Sequence, residues 1–255
     1  MSKEMLNDKT FANVEQYQPV AIPGRPDTVE RTGVMTINGT IARASFLFVL
    51  TVISAVFGWQ QADQISGALN AIMLIGLLGL IGLSLLTAFK PQISPFTGPV
   101  YAIVMGFWAG VISFGYEQQF DGIVLQAVFA TFSVFAGCLF LYGSRIVKVT
   151  KKFVAVVMVA TLGILLMYVA AIVLGLFGVE IGFINDPTPL GIAVSVAICI
   201  VAALNLFVDF HFIEQGARAG APRYMSWYCA FGLLATLIWL YLEILRLLSK
   251  INSRR

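Results

Sequence analysis

The sequence predicts an all-α, polytopic membrane protein that forms a bundle of about seven transmembrane helices. Two observations lead to this class. Hydrophobic residues make up 59% of the 255 positions and charged residues only 11%, whereas soluble domains carry roughly 25% charged residues. The apolar stretches are also long and unbroken rather than alternating. Because backbone inside a bilayer must satisfy its own hydrogen bonds, such stretches indicate helices rather than the strands of a barrel.

Seven apolar runs approach the roughly 20 residues that a helix needs to cross about 30 Å of hydrocarbon. Charged residues, proline or glycine separate the runs, as helix breakers should, and no separator is long enough to hold a folded domain. The predicted spans run from Ile41 to Gly58, Leu69 to Phe89, Gly98 to Tyr116, Gly122 to Tyr142, Val154 to Gly178, Leu190 to about Phe212, and Ser226 to Leu248.

Polar segments flank the predicted bundle, which occupies residues 41–250. Residues 1–40 are polar, carry Pro19, Pro23 and Pro26, and have no apolar stretch of the signal-peptide type behind Met1. We expect them to form a flexible or loosely docked cytoplasmic tail. Residues 251–255 form a second tail, which is basic.

The distribution of basic residues predicts the orientation of the bundle. With seven spans, eleven lysines and arginines fall in the N-terminal tail and the loops on its side, and none falls in the three opposite loops. The positive-inside rule then places the N-terminus in the cytoplasm and the C-terminus outside. Lys250, Arg254 and Arg255 near the C-terminus oppose this weakly, so a re-entrant sixth or seventh run, giving an even number of spans, stays an alternative.

The loops predicted to lie outside carry acids and no bases. Acidic residues can concentrate cations at the mouth of a pathway. Alternatively, these loops carry acids and no bases only because the positive-inside rule keeps lysine and arginine on the other side of the membrane. We prefer this second interpretation. The residues concerned are Asp63, Glu117, Asp121, Glu180 and Asp186.

Small residues predict where helices pack closely, because lipid gives apolar helices no hydrophobic reason to associate. Gly76, Gly79 and Gly82 recur at three-residue steps on the second span. Gly106 and Gly110 form a GxxxG pattern on the third span. We expect backbones to approach one another at both places.

No pattern in the sequence points to catalysis, a metal site or a cofactor. His211 is the only histidine, and a lone histidine without cysteine or histidine neighbours makes a poor metal site. Cys138, Cys199 and Cys229 fall inside apolar runs without CxxC spacing, which is typical of small buried side chains. The net charge of +3 is no footprint of nucleic-acid binding. We therefore predict that the protein is not an enzyme.

The polar residues of interest lie near the end of the sixth span. Asn205 and Asp209 are four residues apart and share a helix face. Ionisable residues within spans are functional-site hypotheses, so Asp209 is a candidate for a proton-sensitive latch. His211 and Glu214, three residues apart, would support it or form a second pH-dependent pair. Alternatively, the helix ends near Phe207, and the acids and the histidine lie in interfacial water.

Glu243 and Arg246 on the seventh span form the second candidate site. Their spacing of three predicts a local ion pair. If Asp209 lies at the cytoplasmic end of the sixth helix, Glu243 should lie roughly 25 Å deeper. The two acids should then not touch, although they would mark two ends of one polar route.

Several segments resemble bacterial Bax inhibitor-1/YccA-like membrane proteins, and together they cover about residues 33–252. The C-terminal block is the most specific, and the earlier segments support it. The segments are Met35 to Thr40, Gly98 to Ala102, Ile112-Ser113 with Tyr116-Glu117, Val149 to Phe153, Asn205 to Glu214, Gly220 to Pro222, and Trp239 to Arg246.

This resemblance implies six helices around a central C-terminal helix, and for characterised relatives it implies a pH-sensitive calcium leak. In that mechanism two aspartates, one on the sixth and one on the seventh helix, form the proton sensor near the cytoplasmic side. Asp209 matches the first of them. Counting back from Arg246, the position of the second falls near Thr236. Two further acids common in relatives are replaced here by Ser226 and Met105.

The resemblance supports two functional hypotheses. One is a calcium or cation leak in the bacterial inner membrane, gated around Asp209. The other is a non-conducting regulator that binds a membrane-bound protease or another membrane partner, as other relatives do. Beyond the lipid bilayer, calcium ions and a protease are thus the expected partners.

Overall fold

The computed structural model describes residues 33–64, 69–177 and 186–254, without the side chains of residues 69–74 and 176. Residues 1–32 of the predicted tail (residues 1–40) lie outside these ranges. Seven α-helices occur in the described ranges, and a short 3-10 helix, Pro91–Ile93, leads into the third. They are α1 (Ile37–Gln61), α2 (Leu69–Phe89), α3 (Ser94–Glu117), α4 (Ile123–Gly143), α5 (Lys151–Leu176), α6 (Pro189–Arg218) and α7 (Tyr224–Asn252).

The helices have the length and composition of membrane spans. Six of the described helices are long and apolar enough to cross a bilayer. The remaining one, α2, has 21 residues and is about 31 Å long. Large apolar side chains on the outside of the bundle, such as Val159 of α5 at 71% exposure, would face lipid. The structure therefore confirms the predicted polytopic helical bundle.

Helix α7 lies at the centre of the described bundle. It packs against α1, α3, α4 and α6, and Tyr168 of α5 reaches it through a hydrogen bond to Glu243. Helix α2 packs on α3 at the periphery. Leu234, Leu240 and Leu245 are almost fully buried along α7. This arrangement agrees with the expected central C-terminal helix.

The helices extend past the apolar runs at several ends. Helix α1 begins at Ile37 because Thr36 caps it, accepting a hydrogen bond from the Gly39 N–H. Helix α6 continues beyond Phe212 to Arg218, and α7 ends at Asn252. Hydropathy alone misses these ends because their polar side chains find partners inside the bundle.

The GxxxG pattern of α3 forms the closest helix–helix contact described. A Cβ added at Gly110 would lie 2.0 Å from the Ala55 carbonyl oxygen of α1, and one at Gly106 would lie 2.3 Å from that of Thr51. The prediction for the second span was only partly right. Gly76 lies against the Trp108 ring, but an added Cβ at Gly79 or Gly82 would meet nothing within 4 Å. These two glycines therefore pack against no described backbone.

The segment before α1 docks on the loop between α6 and α7. The Met35 N–H donates to the Ala221 carbonyl at 2.7 Å, and the Arg223 N–H donates to the Gly33 carbonyl at 2.9 Å. Met35 is 2% exposed, and its sulfur lies 2.8 Å from where a Cβ on Gly216 would stand. Gly33 and Met35 thereby attach the start of α1 to the α6–α7 pair.

Candidate functional site

The bundle has two chemically different ends. The loops after α2, α4 and α6 carry Lys90, Arg145, Lys148 and Arg223, and we call this the basic end. The opposite end holds the acids Asp63, Asp121 and Asp186, and we call it the acidic end. Helix α6 runs from the acidic to the basic end, and α7 runs back.

Asp209 lies on α6 where this helix packs against α7. Its carboxyl oxygen Oδ1 would stand 3.7 Å from a Cβ on Gly232. The other oxygen, Oδ2, is shielded from solvent and has no hydrogen-bond partner among the described residues. Shielding a polar oxygen without a partner is costly, which distinguishes this carboxyl from the other polar groups on the contact between α6 and α7.

Thr236 of α7 faces the same carboxyl, and it is the residue that the resemblance placed at the second position of the latch. Its hydroxyl interacts with Asp209 and also donates to the Gly232 carbonyl at 3.1 Å. Residues 209 and 236 are therefore neighbours where α6 packs against α7. A threonine there provides a hydroxyl instead of a second charge.

Asn205, one turn before Asp209, connects α6 to α5 rather than to α7. Its amide Nδ2 donates to the Thr161 hydroxyl at 2.7 Å and to the Val201 carbonyl at 2.9 Å. Asn205 and Asp209 are one turn apart on α6, but Asn205 contacts α5 whereas Asp209 contacts α7.

Glu214 forms a clamp at the basic end. Its carboxylate binds the guanidinium groups of Arg145 and Arg218, the latter at 2.6 Å, and accepts a hydrogen bond from Tyr142. These hydrogen bonds raise the pKa of Arg145. The clamp joins the end of α4 to the end of α6. His211 is half-buried one turn earlier and makes no ion pair with Glu214.

Glu243 and Arg246 form the predicted ion pair, with Nη1 and Oε1 3.3 Å apart. Glu243 is only 3% exposed and also accepts hydrogen bonds from Tyr168 at 2.8 Å and Trp239 at 3.2 Å. Arg246 donates to the Tyr168 hydroxyl as well. The pair thus belongs to a buried network that joins α5 to α7, which the spacing of three did not reveal.

Lys250 of α7 contacts α6 near the acidic end of the bundle. It is 4% exposed, and its ammonium donates to the Gly191 carbonyl at 3.0 Å and the Ser195 hydroxyl at 2.8 Å. Sequence reasoning counted this lysine only as a basic residue near the C-terminus and did not predict its contacts with α6. Its partners Gly191 and Ser195 are small residues of α6. The contact could have been predicted from them only if the register of the two helices were known.

The sequence suggested that Asp209 lies at the end of its helix, but the structure places it further inside. Helix α6 continues for nine residues to Arg218, which places Asp209 about 14 Å inside the end of the helix. Glu243 is seven residues beyond Thr236 on α7, about 10 Å further along. The expected separation of roughly 25 Å was therefore too large, although no contact joins the two acids.

The three acids on α6 and α7 differ in their partners. Among residues 33–64, 69–177 and 186–254, no three His, Cys, Asp or Glu side chains are grouped to hold a metal ion. Glu214 and Glu243 both have cationic partners. Asp209 forms no salt bridge among the described residues, and its Oδ2 is buried without a hydrogen-bond partner.

Comparison with known proteins gives one match that covers nearly the whole chain. The family model described as Bax inhibitor 1 like matches residues 3–253. No curated protein matches the chain. The match includes all seven helices and every polar residue described above.

Proposed function

The chain belongs to the Bax inhibitor 1 like family, and on this premise we propose that it is a pH-sensitive cation leak gated around Asp209, with calcium as the first ion to test. That it is a multi-pass membrane protein follows from its six apolar spanning helices and its family. The gating and the ion are the proposal.

One observation carries the proposal. The Oδ2 atom of Asp209 is shielded and unpartnered on the contact between α6 and the central helix α7. Adding or removing one proton there changes the charge inside that contact, where no counter-ion compensates it. A change in pH would therefore alter how tightly α6 packs against α7.

The polar groups on either side of Asp209 support a closed state. At the basic end, the Glu214 clamp ties α6 to α4. Toward the acidic end, Glu243, Arg246 and Tyr168 fill the space between α5 and α7. A continuous route past Asp209 would require at least one of these contacts to open.

We further propose a bacterial inner membrane location with a cytoplasmic N-terminus. The basic loops lie at the end where α1 begins, which the positive-inside rule assigns to the cytoplasm. Burial of Lys250 removes one of the three bases that opposed this orientation. The acids at the other end would then face the outside.

The test is calcium flux into liposomes that contain the purified protein, at about pH 6 and about pH 8. We expect a flux that depends on pH for the wild type and that loses this dependence in Asp209→Asn. Asp63→Asn is the matched control, because Asp63 is an exposed acid at the acidic end. A pH-dependent flux that persists in Asp209→Asn would remove Asp209 as the gate.

A second function is supported by the docked segment before α1. Gly33 and Met35 bond to the α6–α7 loop, so a partner that pulled on the N-terminal tail would act directly on this helix pair. A non-conducting regulator of a membrane-bound protease or another membrane protein would use such a connection. It predicts co-purification of the partner, weakened by deletion of residues 1–30. Absence of flux above empty liposomes from folded protein would favour this function.

A further inference from the structure

A cleft of about 600 Å³ opens on the side of the bundle between α1 and α4. Ile41 and Val49 of α1 and Leu139 of α4 form its walls and are each about half exposed. Helices α6 and α7 form its floor, with Phe210 and Leu234 among the floor residues. In a bilayer, water does not fill such an apolar space, so an apolar molecule must.

The cleft has the depth of one leaflet. On α1 its lining residues extend from Ile37 to Val49, a distance of about 18 Å, compared with about 15 Å for half of the hydrocarbon core. At the deep end, the rings of Phe48 and Phe132 meet edge to face with centroids 5.7 Å apart. This contact closes the cleft near the middle of the membrane.

The polar groups of the cleft stand at its mouth. Apart from Ser45, the polar side chains of the lining are Tyr142, Arg145 and Glu214, all at the basic end. Glu214 compensates only one of its two arginines, whose side chains are 61% and 71% exposed. Arg145 also has a left-handed backbone with φ of 58°, which is uncommon for a residue other than glycine.

Further positive charge follows the mouth directly. Lys148, Lys151 and Lys152 are exposed on the loop after Arg145 and the first turn of α5. An apolar cavity of leaflet depth below a basic mouth has the charge and shape complementary to an anionic phospholipid.

We propose that this cleft is a binding site for one anionic phospholipid, which places an acyl chain between α1 and α4 and its phosphate headgroup at Arg145. The bound chain completes the wall that α1 and α4 leave open. The site lies on a face of α7 next to that of Gly232, and it holds whether or not the protein conducts ions.

The test is native mass spectrometry of the full chain released from nanodiscs that contain equal amounts of phosphatidylglycerol and phosphatidylcholine. We expect one retained lipid per protein, with phosphatidylglycerol preferred. Ala44→Phe, which fills the cleft, should lower the retention of both lipids at least tenfold. Val52→Phe is the matched control, because Val52 is exposed on α1 outside the cleft and should retain lipid like the wild type.

The headgroup is tested separately. Arg145→Gln should keep the retained lipid but reduce the preference for phosphatidylglycerol about fivefold, the factor that one basic side chain contributes near an anionic surface. Lys152→Gln, which does not line the cleft, should change the preference less.

Two results would overturn the proposal. One is equal lipid retention by the wild type and Ala44→Phe. If Ala44→Phe does not fold, Ile41→Trp serves as a second variant that fills the cleft. The other is a wild-type protein that retains no lipid or carries a stoichiometric protein in its place.

Discussion

Thr236 of α7 faces the carboxyl of Asp209 on α6, where a two-carboxylate latch would have its second acid. The hydroxyl also donates to the carbonyl of Gly232, and a Cβ added at Gly232 would stand 3.7 Å from Oδ1 of the same carboxyl. Asp209 therefore faces a hydroxyl and not a second carboxyl at this position. Any pH response at this point depends on a single carboxyl and on how its neighbours accommodate the charge.

Introducing a second acid at residue 236 is the most direct test of the contact between Thr236 and Asp209. In Thr236→Asp, two carboxylates would share one buried site, and at high pH they would repel each other. We expect this variant to unfold at a lower temperature at about pH 8 than at about pH 5, whereas Thr236→Asn should show no added pH dependence. Thermal unfolding in detergent measures both. Equal pH dependence of the two variants would show that residue 236 does not face Asp209.

Removing one member of the Glu243–Arg246 ion pair should lower the free energy of unfolding more than removing both members. Removing one member of a buried pair leaves an uncompensated charge and costs about 3–5 kcal/mol. Because Arg246 is 32% exposed, we expect Glu243→Leu to cost about 3 kcal/mol, near the lower limit. The double variant Glu243→Leu/Arg246→Leu should recover part of that loss, and a double-mutant cycle of unfolding free energies measures the coupling. Additive losses would contradict a direct interaction.

The glycine contacts give a matched pair of substitutions. Gly110→Ala places a methyl group 2.0 Å from a backbone carbonyl oxygen of α1, so we expect a loss of about 1–3 kcal/mol of unfolding free energy. Gly79→Ala meets nothing within 4 Å and should leave the stability unchanged or slightly higher. Similar losses for both variants in a chemical unfolding series would argue against the close packing of α1 on α3.

The Glu214 clamp should respond to salt rather than to pH near neutrality. The pKa of Arg145 is raised by its hydrogen bonds to Glu214. A raised pKa in the folded state gives a contribution that is complete below the ordinary arginine value and is lost only above it. Arg145→Gln should therefore lower the thermal stability equally at about pH 6 and about pH 8, and less in high salt. Lys148→Gln is the control. A loss confined to one of the two pH values would mean that another group titrates in the clamp.

Much of the architecture follows from the sequence for one physical reason. A bilayer requires each span to be about 20 apolar residues of helix, so hydropathy locates α1 to α7 without any knowledge of packing. The charge of the loops likewise divides the two ends of the bundle. The spacing of Glu243 and Arg246 predicts their ion pair because three residues bring side chains onto one helix face.

Tertiary structure decided which neighbour each polar or small residue meets. In a membrane protein both the lipid-facing and the protein-facing sides of a helix are apolar, so periodicity does not identify the packed face. The sequence therefore could not separate Gly110, which touches α1, from Gly79, which touches nothing described. It also could not show that α6 extends beyond Phe212 to Arg218 or that Lys250 is buried against α6. These contacts depend on the register of antiparallel helices, which only the assembled bundle sets.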